Sequence, residues 1–290
     1  MDMRQFNVYQ AGISQYDYPP NYDLEGKFFE FSMDDGFDYA LRFIDKTTVE
    51  WNYAGEAPQK AYNYLCGKGD DTTYLVSYEL ENTAKRTNHT WVIDLENWLV
   101  TRILSVVGEN PRFEFLIKPK YEFGAIKREG VEIKPYPRHG YTSDLVGNVV
   151  QWRYGSDVST VHVYYCTNYY RITYPPEKAG TQMLNETMKK LPSSDEPTTY
   201  IKIKDGVYLF SLTEANMEKV LGDVIGIRSN TMAFIQNYKR VYLTGRAFGT
   251  VTHDGIAGPL HITFAAVGKI LQPTEEYILK MLTDPNPYIV

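Results

Sequence analysis

The chain repeats itself, and no other feature limits its fold as much. Asp23-Leu24-Glu25-Gly26 returns 121 positions later as Asp144-Leu145-Val146-Gly147. Each is followed by an aromatic, strand-like run, residues 28–33 and 149–154. Asp71-Thr72-Thr73-Tyr74-Leu75-Val76-Ser77-Tyr78 returns as Asp205-Gly206-Val207-Tyr208-Leu209-Phe210-Ser211-Leu212, at an offset of 134. The difference of 13 between the offsets is a net insertion in the later copy. Two copies of one β-rich unit follow from this pattern. A chain of 290 residues gives each copy enough length for a core of its own.

The expected organisation is an N-terminal arm at 1–22, a first unit at 23–140 and a second at 141–290. The second carries a helical insertion and a closing C-terminal helix. In the first unit, strands are predicted at 27–33, 37–44, 47–53, 74–80, 90–95, 99–104, 113–117 and 121–127. In the second they are predicted at 149–154, 160–166, 169–174, 200–204, 207–212, 224–228, 233–236, 240–248 and 261–267. Helices are predicted at 181–191 and 275–282, and Pro192 to Pro197 reads as a loop. Many short strands separated by turn signals point to an all-β antiparallel barrel or sandwich. The 25 tyrosines agree, since aromatic residues suit pleated, half-buried surfaces.

Charge narrows the function classes. A net charge of −6 and a pI of about 5.5 argue against nucleic acid as a partner, because that needs a basic surface. No apolar run approaches the roughly 18 residues of a membrane helix, so no membrane partner is expected. The polar first 20 residues do not read as a secretion leader. The two cysteines, Cys66 and Cys166, are too few for a disulfide framework or a cysteine zinc site, and a cytoplasmic location is the default. There is no glycine-rich phosphate loop and no His-Glu-x-x-His motif, so no cofactor and no metal is expected. The expected partner is a small molecule, and a homo-oligomer is left open.

Chemistry then rests on His, Tyr, Arg and carboxylates gathered in a pocket. The run 160–166 puts Thr160, His162, Tyr164 and Cys166 on one face by its period of two. Facing inward, His162 and Tyr164 could hold a ligand; the competing reading is a histidine satisfied within the core. Glu214 shares a face with Tyr208, Phe210 and Leu212. Inside a barrel its carboxyl would lose water and its pKa would rise, which suits acid–base work. At a strand end in water it would do nothing of the kind. Facing inward, Arg171, between Tyr170 and Ile172, could hold a carboxylate in its planar fork. Arg246 could do the same or pair with Glu214. For either arginine a surface position is the commoner case. Trp152 and Tyr154 share one face of the strand that opens the second unit, as core or as ligand contacts.

The residues Thr142, Asp144 to Gly147, His162 to Tyr164, Asp205 to Phe210 and Gly245 to Gly249 resemble the molybdenum cofactor biosynthesis protein F (MoaF) family. The first copy is similar through Gly26, Asp35-Gly36 and Trp91 to Asp94. The resemblance covers most of 23–255 and implies two tandem lipocalin-like (calycin) barrels. A second resemblance runs to the phenolic acid decarboxylases. Their strand ending in Thr-Glu is similar to 206–214 and places Glu214 on a catalytic Glu. Their Tyr-Arg-Ile strand is similar to Tyr170-Arg171-Ile172 and places Arg171 on a catalytic Arg. Their tyrosine pair falls on Trp152 and Tyr154, so one tyrosine is missing. In the first copy the Glu position reads Leu80, which implies a structural first unit and a polar pocket in the second.

The expected function is therefore cofactor-independent, lyase-like acid–base chemistry on a small hydroxylated or aromatic organic acid. Glu214, Arg171, Tyr154 and His162 would be catalytic, and Trp152, Tyr164, Tyr208 and Arg246 would bind the ligand. The alternative is a non-catalytic small-ligand binding protein linked to molybdenum cofactor biosynthesis.

Overall fold

The structure, a computed structural model, describes residues 21–53, 55–81, 83–110, 112–113, 116–155, 158–173, 191–253 and 256–272. The predicted arm (apart from Asn21 and Tyr22), the helix at 181–191 (apart from Leu191) and the C-terminal helix lie outside these residues.

The first unit is a nine-stranded antiparallel sheet: β1 Phe28–Met33, β2 Asp38–Phe43, β3 Thr48–Tyr53, β4 Gln59–Tyr62, β5 Leu65–Lys68, β6 Thr73–Glu79, β7 Thr87–Asp94, β8 Leu99–Val106 and β9 Lys120–Ile126. Its order is β4-β3-β2-β1-β9-β8-β7-β6-β5. The second unit holds β10 Gly140–Tyr141, β11 Val149–Arg153, β12 Ser159–Val163, β13 Tyr169–Thr173, β14 Ser194–Lys204, β15 Val207–Thr213, β16 Ile227–Asn237, β17 Tyr242–His253 and β18 Ile256–Leu271. Its order runs β14-β13-β12-β11-β18-β17-β16-β15, and β14 pairs again with β15, so eight strands close into a barrel. The short β10 adds to β14 beyond the end of β13.

The two orders are the same topology, and the repeat offsets survive in space. β1, β2 and β3 lie 121 positions before β11, β12 and β13, and β6 lies 134 before β15. The units differ in their closing strand. In the second, β14 is continuous: residues 194–197 pair with β13 and 198–204 pair with β15. In the first, the equivalent strand is broken in two. β4 pairs with β3, β5 pairs with β6, and Asn63 between them has φ of 54°. A left-handed residue ends a pleated strand. The ladder cannot run through it, so the first sheet stays open and strongly curled while the second closes.

Three differences from the sequence expectation concern the β8–β9 connection of the first unit and two stretches of the second. Phe113, Leu116 and Ile117 are not in a strand; Ile117 is buried and its carbonyl accepts a bond from the Thr213 hydroxyl at 2.8 Å. The expected loop at 192–197 is the start of β14, with Pro197 opposite Tyr169. The expected strand at 224–228 is instead the end of a helix, α1 Glu218–Ile225, followed by β16. Gly226, at φ of 77°, ends α1 in the left-handed conformation that glycine adopts without a Cβ clash. Met217, Val220 and Leu221 of this segment are buried in the barrel core, so α1 plugs one end of the barrel.

The units pack outer face to outer face. Leu75, Val92 and Ile103 of the first meet Ile201, Ile203, Leu209 and Ile235 of the second. The approach is close: a Cβ on Gly69 would stand 2.3 Å from Ile235 Cγ2. Polar pairs frame this seam. Lys204 reaches Asp70 at 2.9 Å and Glu96 at 2.7 Å, and Ser77 bonds His261 Nε2 at 2.9 Å.

Candidate functional site

Alternation along β15 turns Tyr208, Phe210 and Leu212 into the barrel, and Glu214, next in phase, follows them. Glu214 is buried and accepts a hydrogen bond from Asn230 Nδ2 at 2.7 Å on Oε2. Burial pushes its pKa up to about 7, against the pull of the Asn230 bond. The acceptor of the same amide, Asn230 Oδ1, is buried without a partner.

A second carboxyl stands at the same end. On β14, Tyr200 faces inward, so Thr198 and Glu196 do too. Glu196 is fully buried, receives the Ser194 hydroxyl and accepts the backbone N–H of Asn216 at 2.9 Å. Burial raises its pKa to about 8, and the nearby Glu214 charge adds to the rise. Two carboxyls whose charged forms are both penalised hold protons near neutral pH. The sequence expectation missed Glu196 because the prolines around it read as a loop. Its phase with Tyr200 was the available signal.

The polar set continues up the barrel. The Tyr154 hydroxyl bonds Thr160, and Glu214 is among the charges that act on it. Thr160 Oγ1 meets His162 Nε2 at 3.0 Å, and His162 Nδ1 lies 3.3 Å from the Tyr164 hydroxyl. That hydroxyl also accepts Trp152 Nε1–H at 3.0 Å and Gln236 Nε2–H at 2.9 Å. Burial drives the His162 pKa down to about 3, so the ring is neutral. His162 is also wedged between Tyr170 and Phe210, with ring centroids 4.9 and 5.7 Å away. The barrel's middle is therefore a packed stack of rings tied by hydrogen bonds.

Of the expected site residues, Glu214, Tyr154, His162, Tyr164 and Trp152 belong to this linked set in the barrel interior; Tyr208 faces the interior far from Glu214, and Arg171 and Arg246 face outward. Arg171 faces outward, because its neighbours Tyr170 and Ile172 are both in the barrel core. It makes a two-pronged pair with Asp195, at 2.9 and 2.7 Å. The inward orientation expected of it is thus corrected by the strand's own alternation. Tyr208 lies six residues before Glu214 on β15, roughly 20 Å along the strand. Its hydroxyl bonds Asp144 at 3.2 Å. Arg246 is fully buried, but on the outer face, between the two units. It donates to Thr90 Oγ1 at 2.9 Å, the Thr231 carbonyl at 2.6 Å and Ser105 Oγ at 3.3 Å. It makes no pair with Glu214.

The first unit, expected to be structural, also carries polar groups on its concave face. Arg102, nearly buried on the concave face, pairs with Glu122 at 2.8 Å and lies 4.4 Å from the Tyr39 ring centroid. His89 and Trp91 line the same face. Among the described residues, no group of three or more His, Cys, Asp or Glu side chains could hold a metal ion. No helix of the described residues is long and apolar enough to cross a membrane.

Residues 4–109 match the family model described as the MoaF N-terminal domain. The match falls on the first unit, β1 to β8 and the segment before them, whereas the residues quoted from the sequence for this family are denser in the second. No curated protein matches the chain.

Proposed function

We propose that the protein acts on a small hydroxylated or aromatic compound by proton transfer at the α1-plugged end of the closed barrel. Glu214 and Glu196 are the acid–base pair. The observation that carries this reading is two buried carboxyls at one end of one barrel, with pKa values raised to about 7 and about 8. One of them ionised and one protonated at neutral pH would take and give a proton in a single encounter. Asn230 orients Glu214, and its unpartnered Oδ1 is free to receive a ligand hydroxyl. With Arg171 turned outward and paired, no arginine among the described residues faces into the closed barrel to meet a ligand carboxylate. The reading therefore favours a neutral or hydroxyl-bearing ligand over the carboxylate expected from the sequence.

A second reading is binding without turnover, in a protein linked to molybdenum cofactor biosynthesis. Two observations favour it: the match of residues 4–109 to the MoaF N-terminal domain and the ring-filled middle of the barrel. Glu214→Gln separates the two. If proton transfer is the function, turnover of a phenolic or hydroxylated test compound falls at least about a hundredfold while affinity stays within about tenfold. Binding by the unaltered protein with no turnover of any compound tested establishes the second reading instead.

A further inference from the structure

We infer that the cleft between the two units is a separate ligand site, built for a small organic anion that carries a planar ring. The cleft holds about 730 Å3. That lies within the ordinary range for small-molecule pockets. One wall is residues 116–121 of the first unit; the other is the outer surface of β14 and β15, with Tyr141 and Tyr169 at its margin. The wall at 116–121 is anchored, since Ile117 is buried and bonded to Thr213.

The charge of this cleft runs against that of the protein. Among the described residues Lys118 and Lys120 line it and no Asp or Glu does, although the chain carries a net charge of −6; Lys120 is itself paired with Glu109 at 2.6 Å. On its floor the Tyr121 hydroxyl lies against Ser211 and Thr199. Behind the floor stands a buried positive charge. Thr199, Ser211, Ala233 and Arg246 face one another in register across β14, β15, β16 and β17. All four lie on the outer face. Arg246 is thus two strands from Ser211, about 10 Å, with only the alanine methyl between.

Each partner of Arg246 is a neutral oxygen: Thr90, Thr231 and Ser105. A buried guanidinium without a carboxylate is costly and projects its field through low-dielectric protein with little screening. An anion in the cleft would complete the charge balance that the protein leaves open. Three tyrosine rings, Tyr121, Tyr141 and Tyr169, give a planar group surfaces to stack on, the first two already edge-on at 6.4 Å. The Thr199 hydroxyl and the Asn168 amide supply neutral donors for the anionic oxygens.

Titration calorimetry on the full chain tests this with phenyl phosphate as the probe and benzyl alcohol as its uncharged counterpart. Phenyl phosphate is expected to bind one to one, at least about tenfold more tightly than benzyl alcohol. The double variant Lys118→Glu/Lys120→Glu, at two exposed positions, should weaken phenyl phosphate about tenfold. Thr199→Phe, which puts a ring into the cleft, should remove binding, with an unchanged circular dichroism spectrum as the control. Glu214→Gln should change the affinity less than about twofold. The proposal fails if phenyl phosphate does not bind below about 10 mM, if benzyl alcohol binds equally well, or if either cleft variant leaves phenyl phosphate affinity unchanged. Loss in Glu214→Gln with the cleft variants unaffected would place the ligand in the barrel instead.

Discussion

Asn230 gives its side-chain N–H to Glu214 at 2.7 Å and keeps its own oxygen unpartnered and buried beside it. Glu214 thus accepts a neutral amide's bond while burial holds its pKa at about 7. One hydrogen bond favours the charged form, but loss of water outweighs it.

The barrel's carboxyl pair should make folding stability depend on pH in a sense opposite to that of ordinary surface acids. Both folded pKa values are raised, from 4.5 to about 7 and about 8, so between pH 4.5 and 8 the folded chain holds protons the unfolded chain has lost. Stability is then full below about pH 4.5 and falls as pH rises through 7 to 8. The expected loss is on the order of 3 kcal/mol for Glu214 and about 5 kcal/mol for Glu196. Urea midpoints measured from pH 5 to 9 check this. Glu196→Gln and Glu214→Gln should each flatten the curve, and a midpoint that rises with pH in the unaltered protein would contradict the assignment.

His162 should stay neutral throughout the physiological range. Its pKa is lowered to about 3 by burial alone, so its proton is excluded in the folded state and taken up only on unfolding. Stability tied to this ring is present above pH 6.5 and is lost as pH falls toward 3. In a nuclear magnetic resonance titration its ring carbon shifts should stay constant between pH 5 and 8. His162→Ala should cost about 2 to 4 kcal/mol, since it opens a cavity and strands the hydroxyls of Thr160 and Tyr164.

The seam between the units should be intolerant of a single methyl group. Gly69→Ala would place Cβ 2.3 Å from Ile235 Cγ2, a position that real side chains do not occupy. The expected cost is about 1 to 3 kcal/mol. Ile235→Ala removes the obstructing atom, so the double variant should lose less stability than the two single changes combined. A thermal double-mutant cycle reads this coupling directly. Additive losses would mean the clash is absorbed elsewhere.

How far the sequence reached can be judged from particular residues. The offsets of 121 and 134 reappear as equivalent strands in two sheets of one order, because a repeated pattern of apolar alternation produces the same strands twice. Glu214 was traceable by counting in twos from Phe210, and Arg171 should have been too. Its neighbours Tyr170 and Ile172 are apolar, so the arginine between them points the other way. Glu196 was hidden by Pro192 and Pro197, which read as loop punctuation although Pro197 sits inside β14. Helix α1 was hidden because its eight residues are too few to show a period clearly.

Alternation and repetition are properties of neighbouring residues, so the sequence by itself determined that there are two β units of one design and which side chains share a face. Tertiary structure alone decided which unit closes, which side of each strand becomes an interior, and that Glu196 meets Glu214 while Arg246 turns to the seam. Those outcomes depend on pairings between strands far apart in the chain. One left-handed residue, Asn63, breaks the closing strand in the first unit, and the second unit has a continuous strand there.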